Sequence, residues 1–181
     1  MHPLHDVPCV EPVDAMAPVI IEIPAGSKLK FEIDKKTGLL ALDRVLHAAV
    51  HYPLNYGFFP QTLGDDTDAL DALVLMQEPL PPLTIVRTRV LGGFAMRDDK
   101  GGDDKLLCVA LDDPMWCHLK GVEELSPQLL DEIRRFFSDY KRAEGKFSEV
   151  GELYGRDHAL AVLRRAMRQY EPPVVSLSVG G

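Results

Sequence analysis

Apolar and polar residues change their rhythm along this chain. From residue 18 to residue 111 the apolar positions come in short β-branched or alternating runs, broken by Gly, Pro and Asp. After residue 126 they recur every three or four positions. Side chains alternate across a strand but return to one helix face after a turn, so the first rhythm predicts strands and the second helices. Val19-Ile20-Ile21-Glu22-Ile23, closed by Pro24, reads as a strand. Leu29-Lys30-Phe31-Glu32-Ile33-Asp34 reads as the next, with Leu29, Phe31 and Ile33 on one face and Lys30, Glu32 and Asp34 on the other. Leu39 to Leu42 starts a third, ending at Asp43-Arg44, and the aromatic loop His51 to Pro60 follows. Ala72 to Met76, Thr84 to Leu91 and Leu106 to Leu111 complete the strands, with a bulge or bend at Gly92-Gly93.

Ser126-Pro127 supplies an N-cap with proline at the first helical position. Leu129, Leu130, Ile133, Phe136, Phe137 and Tyr140 then form an apolar stripe, and Gly145 ends the helix. A second helix is expected from Asp157 to Tyr170, with Ala161, Val162 or Leu163, Ala166 and Met167 inward and Pro172-Pro173 as its stop. Many short strands followed by two helices predict an α+β chain: a small closed β-barrel with helices outside. Residues 1–17, rich in proline and without periodicity, read as a flexible N-terminal arm. Residues 18–172 read as one domain, and 173–181 as an extended or disordered tail.

At 181 residues the chain is long enough for a core without staples. Acids outnumber Lys plus Arg by 28 to 20, a net charge of −8, which argues against non-specific nucleic-acid binding. Cys9, Cys108 and Cys117 are odd in number and lack C-x-x-C spacing, so reduced thiols in a cytoplasmic protein are expected. The opening Met1 to Pro8 lacks a basic segment leading into an apolar one, and no apolar run reaches membrane-spanning length.

The candidate chemistry lies at Gly64 to Asp71, where Asp65, Asp66, Asp68 and Asp71 fall within seven residues just before an apolar strand. Crowded carboxylates repel, and burying them together drives protons on unless a cation intervenes. Mg²⁺ suits such oxygen ligands and keeps waters that a phosphate can replace. A solvated acidic turn explains this stretch alone equally well. Asp98 to Lys105 carries four more aspartates, where a solvated hairpin is the simpler account.

Ordered blocks change that balance. Glu22-Ile23-Pro24, Lys30 to Asp34, Leu42-Asp43-Arg44, Tyr52 to Gly57, Asp66-Thr67-Asp68-Ala69-Leu70-Asp71, Asp98 to Lys105 and Tyr140-Lys141 together resemble the soluble family I inorganic pyrophosphatases, of the bacterial type. The resemblance spans roughly residues 18 to 147. It implies a closed OB-like β-barrel of about five strands with two main flanking helices. It also implies Mg²⁺-dependent hydrolysis of inorganic diphosphate to two orthophosphates, with several ions per active site. Asp66, Asp71, Asp98 and Asp103 would hold metal, and Asp68 would accept the proton of the attacking water. Lys30, Arg44, Tyr56, Tyr140 and Lys141 would grip the phosphates, with Glu22, Glu32 and Lys105 supporting the pocket. A cytoplasmic homohexamer without nucleic-acid or membrane partners is implied too. The chain departs from the family pattern at Thr67, where a small residue is commoner, and at Ala69; altered loop stiffness is expected there.

Two other classes fit the sequence less well. A twelve-residue Ca²⁺ loop counted from Asp66 would need glycine where Asp71 stands and Glu where Gln77 stands, so that pattern fails. An oligonucleotide-binding barrel lacks a basic aromatic groove. A different Mg²⁺ phosphohydrolase is the nearer alternative.

Overall fold

The structure is a computed structural model and describes residues 1–47, 49–98, 101–145 and 148–173. In chain order the elements are β1 (Ala17–Ile23), β2 (Leu29–Ile33), β3 (Leu40–Val45), β4 (Asn55–Phe58), β5 (Asp71–Leu75), β6 (Ile85–Asp98), β7 (Gly101–Gly102), β8 (Lys105–Ala110), α1 (Pro127–Asp139), β9 (Ser148–Gly155) and α2 (Arg156–Gln169). β1 pairs with β4, β4 with β5, β5 with β8, β8 with β6, and β6 returns to β1. That circuit closes a ring of five strands, the OB-like architecture expected, and closure leaves these strands few bare edges. Four of the five pairings are antiparallel, and β5–β8 is parallel. β2 and β3 form a separate hairpin.

Alternation along the ring strands sends side chains to two cores. Ala72 and Val74 of β5, with Leu106, Cys108 and Ala110 of β8, pack with Leu160, Val162 and Leu163 of α2. Their neighbours Leu73, Leu75, Leu107 and Val109 face the opposite way and join Ile133, Phe136 and Phe137 of α1. Each such large apolar side chain contributes about 1.5–3 kcal/mol when fully buried. α1 starts as expected, with the Ser126 hydroxyl accepting from the Leu129 N–H at 3.2 Å and Pro127 at the first position. Gly57 is required by close approach, since a Cβ there would lie 1.9 Å from the Ile20 carbonyl oxygen.

Five expectations are corrected. α1 ends at Asp139, and Gly145 instead closes a separate 3-10 turn, Arg142–Glu144. β6 runs on for 14 residues to Asp98 and does not end at Leu91, while the bulge expected near Gly92-Gly93 shows as a register shift between Val90 and Gly92. β9, which pairs with β6, was missed because Gly151 and Gly155 interrupt its apolar pattern. Leu29 is exposed while Ile33 is buried, because a register shift between Lys30 and Phe31 breaks the simple alternation of β2. α2 turns Ala159 and Leu160 inward and leaves Ala161 exposed.

Residues 1–17 lack regular structure up to β1, yet they lie on the domain. Cys9 and Val13 sit in the α2-side core, and the Gln61 amide donates to the His5 carbonyl at 2.7 Å. Residues 174–181 of the expected tail lie outside the described residues. Among the described residues no helix is long and apolar enough to cross a membrane.

Candidate active site

The parallel register of β5 and β8 sets Asp71 directly opposite Lys105. Lys105 is buried, with 1% of its side chain exposed, and its ammonium donates to Asp71, to Asp103 Oδ1 at 2.8 Å and to the Tyr56 hydroxyl at 3.3 Å. It also lies 5.6 Å from the ring centroids of both Tyr56 and Phe137. Burial opposes its charge, but Asp71 and Asp103 outweigh burial and hold its pKa well above the usual lysine range. One ammonium thus serves two carboxylates, and the set is left with a negative excess.

Asp65, Asp66, Asp71, Asp103, Asp104 and Arg165 line a single cleft at this end of the ring. Burial raises the pKa of the Asp66 carboxyl, helped by the charge of Asp103. It raises that of Asp71 to about 6, with the Lys105 ammonium pulling the other way. Glu22 is buried, accepts the Ile33 N–H at 2.9 Å, and is pushed up to about 8 by burial and then by Asp71. Burial is the first cause of each rise, and a neighbouring carboxylate adds to it in all three. The oxygen donors of Asp66, Asp71 and Asp103 match a hard divalent cation such as Mg²⁺. Among the described residues no three acidic side chains already converge on one ion position, and Lys105 draws Asp71 and Asp103 to itself.

A basic strip lies beside the cluster, joined to it through Glu22, which is within electrostatic reach of Asp71, Lys30 and Glu32. Lys30 and Arg44 face each other across the β2–β3 hairpin. Lys30 pairs with Glu32 and with Asp43 Oδ2 at 3.1 Å. Arg44 pairs with Asp43 and donates through Nε to Glu144 Oε1 at 2.7 Å. Tyr140 caps α1, buried against Phe136 and Phe137, and the Lys141 ammonium lies 5.4 Å from its ring centroid.

Asp68 is placed differently from the other acids of its loop. Its carboxylate pairs with Lys35, whose ammonium also donates to the Thr67 carbonyl at 3.0 Å. Its N–H donates to Asp66 Oδ1 at 3.1 Å, and its carbonyl accepts the Gly64 N–H at 2.7 Å, which tightens the turn. Thr67 takes φ 70°, a left-handed conformation strained for a β-branched residue, at a position where the family pattern has a small residue more often. Asp98 ends β6, and its side chain lies outside the described residues.

Asp43, Glu144 and Lys35 were missed as parts of this network. Asp43 had a signal, since it lies between Leu42 and Arg44 in a quoted block. Glu144 and Lys35 had none, because their partners are distant in sequence.

Carboxylates that outnumber their buried lysine, beside Lys30 and Arg44, suit an anion that arrives with cations. Residues 19–171 match the inorganic pyrophosphatase family profile. A soluble inorganic pyrophosphatase of Zea mays is 50% identical over 169 residues, covering 93% of this chain and 79% of that one. The crystal structure of the Thermus thermophilus inorganic pyrophosphatase superposes with a TM-score of 0.88 at 37% identity, covering 93% of this chain and 98% of that one. That of Helicobacter pylori gives 0.86 at 38% identity, covering 90% and 97%. The chain belongs to the inorganic pyrophosphatase family, and it is a hydrolase of pyrophosphate.

Lys105→Met leaves Asp71 and Asp103, which are 21% and 10% exposed, without their cation. In the absence of divalent ions, urea unfolding is expected to show a loss of about 3–5 kcal/mol. A loss below about 1 kcal/mol, the worth of a surface pair, would contradict the central role given to Lys105.

Proposed function

We propose that the chain hydrolyses inorganic diphosphate to two orthophosphates with Mg²⁺, several ions per active site, held by Asp66, Asp71, Asp98 and Asp103. The observation that carries this reading is the negative excess around Lys105, in a cleft whose oxygen donors suit a hard cation. When bound, Mg²⁺ neutralises phosphoryl charge and lowers the pKa of a coordinated water.

The chain's own residues have three tasks in this scheme. Lys30, Arg44 and Lys141 give charge-assisted hydrogen bonds to phosphate oxygens, and the Tyr56 and Tyr140 hydroxyls add neutral ones. Without substrate, Lys30 and Arg44 are held in place by Asp43, Glu32 and Glu144, so an arriving phosphate meets an oriented pair. Asp68 takes the proton of the attacking water, with Lys35 fixing its carboxylate. Glu22, Glu32 and Lys105 keep this arrangement in register.

A cytoplasmic homohexamer belongs to the same proposal. Leu29, Leu42 and Val45 leave an exposed apolar surface on the β2–β3 hairpin, which supports self-association. Light scattering is expected to give a mass several times that of the 20.1 kDa chain; a monomer at micromolar concentration would end that part.

Asparagine variants separate the roles of the acids. Asn keeps size and one acceptor oxygen but loses the charge that holds Mg²⁺ and the basicity that takes a proton. Asp66→Asn and Asp71→Asn are expected to need much more Mg²⁺ and to recover partly when it is supplied. Asp68→Asn is expected to bind metal and still lose turnover, by about 10²–10⁴-fold. Pyrophosphatase activity measured against Mg²⁺ concentration decides. Equal rescue of all three by excess Mg²⁺ would make Asp68 another ligand.

A further inference from the structure

The two loops that carry the cleft's acids are tied together by one guanidinium. Arg165, on α2, donates through Nη2 to Asp65 Oδ2 at 3.1 Å, and the same nitrogen stands 3.5 Å from Asp104 Oδ2. Asp65 directly precedes Asp66, and Asp104 directly follows Asp103. Each partner of Arg165 is therefore the chain neighbour of a proposed metal ligand, on a different loop.

Both loops are held by the β9–α2 unit in other ways too. The second oxygen of Asp104 accepts the Tyr154 hydroxyl at 3.0 Å. Tyr154, on β9, stacks on His158 of α2 with ring centroids 4.4 Å apart. On the other loop, the Leu63 N–H donates to the Ala166 carbonyl of α2 at 2.9 Å. α2 in turn packs its apolar face on the ring. The loops thus share a rigid support, and Arg165 is its charged contact to both.

We propose that Arg165 is a positioning residue for the metal site: it fixes the spacing between the loop of Asp66 and the loop of Asp103 without touching ion or substrate. This rests on the reading that Asp66, Asp71 and Asp103 hold Mg²⁺. Stability does not explain the arrangement, because half-exposed ion pairs contribute little to it. Geometry does. A single nitrogen, Nη2, reaches carboxylates on both loops, so its position relates one loop to the other. Without Arg165, Asp65 and Asp104 lose the cation they share, and with it this charged contact between the loops.

The sign of the effect separates positioning from simple electrostatics. Removing a positive charge from an acidic cleft, with nothing else changed, tightens cation binding. Removing the tie between the loops weakens it, because the ligand oxygens must then be gathered at the expense of loop entropy.

The test is calorimetric titration of Mg²⁺ alone into the full-length chain freed of metal, for wild type, Asp66→Asn, Arg165→Ala and Arg165→Lys. Arg165→Ala is expected to weaken Mg²⁺ binding by about tenfold, the low end for residues that support metal ligands. Arg165→Lys should recover only part of that. The turnover of Arg165→Ala at saturating Mg²⁺ should return close to wild type. If Asp66→Asn weakens Mg²⁺ binding but Arg165→Ala leaves it unchanged or tighter, the positioning role is overturned and the metal reading stands. If Asp66→Asn has no effect on Mg²⁺ binding, the metal reading itself falls, and the role of Arg165 with it.

Discussion

A lysine ammonium in a dry interior is tolerated only beside counter-charge, and this requirement organises the molecule around Lys105. Its two carboxylates come from different places: Asp71 across the parallel β5–β8 ladder and Asp103 from the turn before β8. Leaving Lys105 buried without them would cost several kcal/mol. The register of the two strands is therefore fixed twice, by their apolar alternation and by this triad. A slip of one residue would turn Lys105 to the other face of β8 and strand Asp71.

The rest of the fold brings groups to that point. α1 delivers Phe137 against Tyr56, with Tyr140 at its C-cap packed on Phe137, and the first two rings give the ammonium an aromatic wall. The β2–β3 hairpin sets Lys30 opposite Arg44, with Asp43 bonded to both and Glu144 holding the far side of Arg44. β9 and α2 support the acidic loops from outside. The closed ring can carry this charge density because its ladder hydrogen bonds and the apolar core under α2 lie away from these charges.

Much of this could be read from the chain because local chemistry dictates it. β-branched runs such as Val19 to Ile21 belong in strands, Ser126-Pro127 caps a helix, and the spacing of Ile133, Phe136, Phe137 and Tyr140 gives a buried stripe. The aspartates announced a charged site, and the ordered blocks pointed to the family. What stayed hidden depends on partners far away in sequence. Nothing local shows that Glu144 meets Arg44, that Lys35 pairs with Asp68, or that Arg165 bridges Asp65 and Asp104. β9 was obscured by its glycines, and the outward turn of Leu29 follows from a register shift that has no composition of its own. The burial of Cys9 and Val13 in an irregular segment was invisible for a similar reason, since two apolar residues without period do not signal packing.

The central claim is that the acids gathered around Lys105 are short of positive charge and complete themselves with a divalent cation. Crystals of the full-length chain, soaked in Mn²⁺ without substrate and measured for anomalous scattering, address it most directly. The account predicts a peak bounded by Asp66, Asp71 and Asp103 while Lys105 keeps its place between the last two. Mn²⁺ at a concentration that saturates activity, with no peak at those carboxylates, would contradict it.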